Sequence, residues 1–180
     1  MKKPKKKKNH YINNKTFFEA IKQYKLDLKQ NPNIQIPNYL GECIILICNK
    51  LSVSPNFFNY SYKEDMIGDG IISCFAALNN FDPDKSNNPF GYFTQIAYNA
   101  FVFRIEKESY QNYMKHKNLE HTFVLTDEIF LEHNQVQKND SAKEDGIRRH
   151  YEVIQKYEEK IERKKRKQEE RKRLKNASKL

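Results

Sequence analysis

Tryptophan is absent from the 180 residues, cysteine occurs three times, glycine five times and proline six. Each scarcity excludes something. Cys43, Cys48 and Cys74 are odd in number, sit on apolar helical stripes and show no zinc-knuckle spacing, which suits buried free thiols in a reducing cytoplasm rather than a disulfide framework. Five scattered glycines build no phosphate-cradling loop. No apolar run approaches the ~20 residues that span a bilayer, and the N-terminus lacks a signal-peptide apolar core. The chain is therefore expected in the cytoplasm, with no membrane partner. His10, His116, His121, His133 and His150 stand in no arrangement with Cys or carboxylates typical of a metal site, and Asp82 and Asp84 flank Pro83 as turn residues. No metal, cofactor or catalytic constellation is expected, and an enzyme is the least supported class.

Positive charge is scarce in the middle of the chain. The net charge is +10, yet residues 1–8 contribute +6 and residues 141–180 contribute +7, leaving the stretch between them at −3. A mildly acidic body with two basic ends differs from a generic nucleic-acid binder with one positive face. It suits a protein that meets a basic partner and a nucleic acid together. The lysine-rich start reads equally as a disordered solubilising tail or as a DNA-contacting arm.

Strand signals are few, and the periodicity predicts an all-α chain. Thr16-Phe17-Phe18-Glu19 has the form of a capping box, after which Phe17, Phe18, Ile21, Tyr24 and Leu28 make an apolar stripe ending at Asn31-Pro32. A second helix over residues 38–51 turns Leu40, Cys43, Ile44, Ile47 and Leu51 inward. Ser61-Tyr62-Lys63-Glu64 reads as another capping box, opening an acidic helix with Met66, Ile67, Ile71, Cys74, Phe75 and Leu78 on one face. Asp65 and Asp69 lie off that stripe, four apart, so both project from one exposed edge toward a basic partner surface. Asn79-Asn80 and Pro83 end the helix.

Asn88-Pro89 starts the fourth helix, with Asn88 as cap and Pro89 at the position that needs no N–H. Phe90, Phe93, Ala97, Ala100, Phe101 and Ile105 trace one face, while Tyr92, Gln95, Tyr98, Asn99, Val102 and Phe103 fall largely off it. Two readings stand side by side. Both faces are buried in a bundle, or the second is an exposed row of aromatic and amide groups suited to stacking on unpaired bases and bonding base edges.

The order of these motifs resembles the second conserved region of the primary-type bacterial sigma factors. The family run is roughly D-L-I-Q-E-G, K-F-D-P, Y-A-T-W-W-I-R-Q-A-I; this chain reads D-M-I-G-D-G, N-F-D-P, Y-F-T-Q-I-A-Y-N-A-F. Asn88-Pro89, Tyr92, Thr94-Gln95 and Asn99-Ala100-Phe101-Val102 before Arg104-Ile105 look closer still to the small late-transcription sigma factors of large tailed phages. The resemblance covers about residues 12–108. It implies a compact bundle of the sigma region-two type that acts by binding in a bacterial host cytoplasm. By resemblance, Asp65, Gly68, Asp69 and Ile72 would meet the clamp helices of the largest subunit of core RNA polymerase. Tyr92, Gln95, Ile96, Tyr98, Asn99, Val102 and Arg104 would recognise and melt a short AT-rich promoter element of the minus-ten type. A basic DNA- or RNA-binding accessory protein and a helical adaptor are the alternatives.

This chain also departs from the family. Gln95 and Ile96 stand where the family carries paired tryptophans, so its melting wedge is differently built. Asn99 replaces a glutamine with the same amide, and Phe103 replaces a usual basic residue. Past the motif run, the expected organisation is a basic disordered arm (1–11), a helical domain (12–118), a polar linker with two apolar clusters (119–140) and a long charged, basic helix (141–180), too sparsely apolar beyond Ile161 for a coiled coil. Residues 171–180 are basic, unlike the acidic, aromatic tail with which phage late factors dock on the replication sliding clamp, so a sliding clamp or co-activator stays open as a further partner. The basic helix itself reads either as a contact to upstream DNA or as a solvated helix without a specific partner.

Overall fold

The computed structural model describes residues 11–131 and 141–177. Among these it forms five helices and no strand: α1 (Asn14–Gln30), α2 (Asn38–Ser52), α3 (Lys63–Leu78), α4 (Pro89–Leu131) and α5 (Ser141–Ala177). The expected basic arm, apart from Tyr11, and the second half of the expected linker lie outside the described residues. No helix is long and apolar enough to cross a membrane among the residues described. The chain divides into two compact units, one ending at Ile105 and the other beginning at Glu106.

In the first unit the periodicity decides which residues face inward. Phe17, Ile21 and Tyr24 of α1, Leu40, Cys43, Ile44, Ile47 and Cys48 of α2, Met66, Ile67, Cys74 and Leu78 of α3, and Phe93, Ala97 and Phe101 of α4 form one buried core. Each set recurs at three- or four-residue steps, the signature of an amphipathic helix. Aromatic contacts link elements distant in sequence. The ring of Phe17 lies 5.6 Å from Phe93, and Phe57, from the loop before α3, stands edge-on to Phe101 at 5.1 Å. Where α3 packs on α4 a ring fills the space beside a glycine: a Cβ on Gly70 would meet the Phe101 ring at 2.6 Å. Any larger residue there would force that ring to move.

The three cysteines are buried free thiols. Cys74 Sγ lies 3.5 Å from the Phe93 carbonyl of α4. Burial pushes the Cys43 thiol up; hydrogen bonding with Cys48, and burial, push up that of Cys74. Cys43 and Cys74 thus behave as small core residues rather than nucleophiles, while the hydrogen bond with Cys74 pulls the Cys48 thiol down.

Two helix starts differ from the sequence expectation. The cap of α1 is Asn13, whose side chain accepts the Lys15 N–H at 3.0 Å; Thr16 already lies inside the helix. An Asx side chain one turn earlier competes with the Ser/Thr box and wins the same orphan donors. For α3 the box at Ser61 does not form. The cap position is Tyr62, whose side chain makes no capping bond, and Tyr62 packs against Tyr60 with ring centroids 5.3 Å apart. The start of α4 is as expected: Pro89 is its first residue and Asn88 Oδ1 accepts the Gly91 N–H at 3.0 Å. Asn14 adds a second cap from α1, its Oδ1 accepting the Phe90 N–H. The turn before it is closed by Asp82, whose carboxylate accepts the Asp84 N–H; a hydrogen bond from Lys85 holds that carboxyl below its ordinary range.

Helix α4 runs for 43 residues, well past the expected end of the helical domain near 118. No proline or glycine occurs between Tyr92 and Leu131 to stop it, so residues 119–131, expected in a linker, are helical.

The second unit is an antiparallel pair, the later part of α4 against α5. Glu106 pairs with Lys164, Tyr113 stacks on Tyr157 at 4.5 Å, and His116 meets His150, so the partners run in opposite directions. Along α5 the seam is His150, Ile154, Tyr157 and Ile161, at the alternating four- and three-residue steps of a packed helix pair. Only Ile154 of these is fully buried. The Tyr113 hydroxyl donates to Glu158, and Nδ1 of His116 lies 2.9 Å from Nδ1 of His150, within hydrogen-bond distance. The long charged helix expected from the sequence is therefore present, with the expected Arg163–Glu159 pair at 3.1 Å.

Candidate nucleic-acid interface

The outer faces of α3 and α4 carry the residues singled out from the sequence, and the core described above fixes their orientation. On α3, burying Met66, Ile67, Gly70 and Cys74 turns the opposite side outward. Asp65, Gly68, Asp69 and Ile72 recur there at three- and four-residue steps, so they share one face. Ile72 is 69% exposed, large for an isoleucine in a folded helix. Gly68 has open space around its Cα; nothing lies within 4 Å of a Cβ built there. Asp65 is exposed.

Asp69 is not available in the same way. Its two oxygens accept from Arg104 on α4, Oδ2 from Nε at 2.6 Å and Oδ1 from Nη2 at 2.8 Å. The side chains are 34% and 18% exposed, so this bidentate pair is partly shielded from water. A residue expected to meet polymerase and one expected to meet DNA are thus joined to each other. The fork geometry of arginine matches a carboxylate and fixes both groups. Asp65 and Asp69 project from one edge, but Asp65 alone of the two points its charge freely outward.

On α4 the buried faces of Phe93, Ala97 and Phe101 send Gln95, Asn99 and Phe103 outward, at steps of four along one line. Gln95 Nε2 donates to Asn99 Oδ1 at 2.9 Å. Outside that bond the pair holds a carbonyl on Gln95 and an NH2 on Asn99, one acceptor and one donor group side by side. That is the complement of the adenine major-groove edge, which offers an N6 donor and an N7 acceptor. Phe103 follows one turn on, with 68% of its surface exposed. Beside the row, Tyr98 is 39% exposed and held edge-on by Phe57 at 5.3 Å.

Tyr92, Ile96 and Val102 are placed differently from this exposed row: all three are partly buried against the core. Tyr92 stands edge-on to both Phe81 and Phe93 at 5.1 Å, so its ring closes the bottom of the bundle before it offers anything to a base. The second face of the helix is thus partly buried at Tyr92, Ile96 and Val102 and exposed at Gln95, Tyr98, Asn99 and Phe103. The sequence places Phe103 in the row off the buried face, but not among the residues expected to contact DNA. Its step of four from Asn99 places it on the same line, and that spacing was the signal.

No protein-family model matches the chain, and no curated protein does.

Proposed function

We propose that this chain is a sigma-like transcription initiation factor, a bundle of the region-two type that binds core RNA polymerase and captures unpaired bases of a short AT-rich promoter element. The observation that carries the reading is the exposed line of Gln95, Asn99 and Phe103 with Tyr98 beside it, on a helix whose opposite face is locked in the core. The amide pair supplies adenine-type hydrogen bonding, worth ~1–3 kcal/mol of discrimination per base. Aromatic rings supply stacking of ~1–3 kcal/mol for each captured base, which offsets the cost of opening the duplex. Binding rather than covalent chemistry drives such a step. The α3 face, with Asp65, Gly68 and the exposed Ile72, suits a partner surface that is basic around an apolar centre, the role the motif resemblance gives to the clamp helices of core polymerase. The order of the D-x-x-x-D-G, F-D-P and Y-x-T motifs supports assigning both faces to one initiation factor.

The test is reconstitution with core RNA polymerase on AT-rich promoter templates, with permanganate footprinting of open strands. Promoter-dependent opening is expected, with Asn99→Ala relaxing discrimination at one base pair by ~1–3 kcal/mol. Phe103→Ala should impair opening on a closed template and recover on a pre-melted bubble, because the unstacking cost has then been met. Tyr92→Ala is a poor probe, since its ring supports Phe81 and Phe93. DNA binding without any polymerase association would favour an accessory nucleic-acid binder. Polymerase association without opening would favour a helical adaptor.

A further inference from the structure

The charge pattern of α5 changes character part-way along its length. Up to about residue 166 its cations answer to carboxylates on the same helix: Lys156 to Glu152 at 3.5 Å, Arg163 to Glu159 at 3.1 Å and Arg166 to Glu162 at 4.0 Å. Beyond that basic residues outnumber acidic ones more heavily. Residues 163–177 contain nine Lys or Arg and two Glu. Every side chain from 165 to 177 is exposed, so no surface of the described chain covers them. Arg163, Lys167, Arg171 and Lys175 follow one another at steps of four, which stacks like charges on one line of the helix. Arg171 has no carboxylate three or four residues away on either side; its neighbours there are Lys167, Gln168, Leu174 and Lys175.

Like charges at this spacing oppose helix formation by a few tenths of a kcal/mol per pair. One or two cations in a last turn complement the helix dipole, but that effect dies out within the turn and does not account for nine. An anion brought to the line would reverse the sign of the repulsion. With 1.5 Å rise per residue, the four cations on the line extend over about 18 Å. No aromatic residue lies among residues 163–177, so the segment has no platform for stacking on single-stranded bases. A bare helix about 10–12 Å across fits the ~12 Å major groove of B-form DNA, whereas the major groove of A-form RNA is too narrow to admit it.

We propose that residues 163–177 of α5 are a sequence-independent docking surface for duplex DNA, in which Lys167, Arg171 and Lys175, continuing the line begun by the Glu159-paired Arg163, engage backbone phosphates. The Gln95–Asn99–Phe103 line belongs to the other unit, and this surface does not depend on its reading. Phosphate contacts position a protein without reading sequence, so binding here is governed by counterion release.

The test uses the full chain and a DNA duplex of about 30 base pairs that lacks any AT-rich element, with binding followed by anisotropy across a salt series. The variant K167Q/R171Q/K175Q keeps good helix formers at each position, so helical content by circular dichroism should be unchanged. Its log–log salt slope should be shallower by roughly 2–3, about 0.9 for each lost phosphate contact. A second variant, R148Q/R149Q/K156Q, removes the same charge from the self-compensated part of α5 and should leave the slope as it was. Equal slopes for the first variant and the parent chain would overturn the proposal, as would an equal loss in the second variant, which would make net charge the cause. Binding to an RNA duplex as tight as to DNA, or to phosphatidylglycerol vesicles in place of DNA, would overturn the assignment of partner.

Discussion

Four phenylalanines with essentially no exposed surface, Phe17, Phe81, Phe93 and Phe101, fill the interior of the first unit, while Ile154 is the one fully buried apolar residue described in the second. The second unit relies instead on stacked tyrosines, a histidine pair and ion pairs such as Lys164 with Glu106. The first unit is also balanced in charge over residues 11–105, with eight basic and eight acidic side chains. This contrast teaches where each kind of recognition can be built. A close-packed interior holds exposed amides and rings to defined positions, as base reading needs. A solvated helix pair tolerates imprecision, as phosphate contacts do.

The comparison breaks most readily in the core. Phe101→Ala removes a ring in contact with Phe57 and with the closest approach of α3, and should cost ~3–5 kcal/mol, read as a lowered urea midpoint. Ile154→Ala should cost about 2 kcal/mol, at the low end for such truncations, because its seam neighbours are already partly wet. Equal losses would mean that the second unit is as tightly packed as the first.

Breaking the Asp69–Arg104 pair comes next. Asp69→Asn or Arg104→Gln should each cost roughly 1.5–3 kcal/mol, the range for hydrogen bonds to charged groups, and the double variant should cost less than the sum. Asp65→Lys should stay within about 0.5 kcal/mol, as an exposed position does. Additive losses in the double variant would show that the pair is not coupled.

Two glycines on α3 then sharpen the distinction between its faces. Gly70→Ala places a Cβ against the Phe101 ring and should destabilise by ~1–3 kcal/mol. Gly68→Ala, with open space around it, should stabilise by about 0.5–1 kcal/mol through helix propensity and become a clean probe of partner binding. The smallest effect is ionic. Raising salt should weaken amide protection over the ion-paired residues 145–166 of α5 by a few tenths of a kcal/mol per ion pair while leaving α2 and α3 unchanged.

The helices of the first unit were legible because each carries a strong three-four stripe and because Asn88-Pro89 combines two start signals at one point. The two other starts were not, since a Ser/Thr box is a local pattern and a competing Asn13 or an aromatic loop contact decides between nearby frames. On the outer faces, periodicity correctly separated inward from outward residues on α3. It could not grade the flanks of α4, where Tyr92, Ile96 and Val102 are drawn in by Phe81 and the core edge while Phe103 is left out. The Asp69–Arg104 pair spans 35 residues of sequence, and no local spacing announces it. The polarity of residues 119–131 suggests a linker, whereas the absence of proline and glycine, the better guide, lets α4 continue through them.

Asp69 presents to Arg104 two anionic oxygens in the geometry of a phosphate, and it is tethered to the same scaffold. A nucleic-acid phosphate approaching that guanidinium must therefore compete with a resident mimic of itself, at the high effective concentration of an intramolecular rival. Such a decoy discourages casual capture of stray polyanions. It also means that transplanting the α4 row to another framework without its α3 neighbour would release an arginine with altered appetite, more adhesive to polyanions than in its native setting.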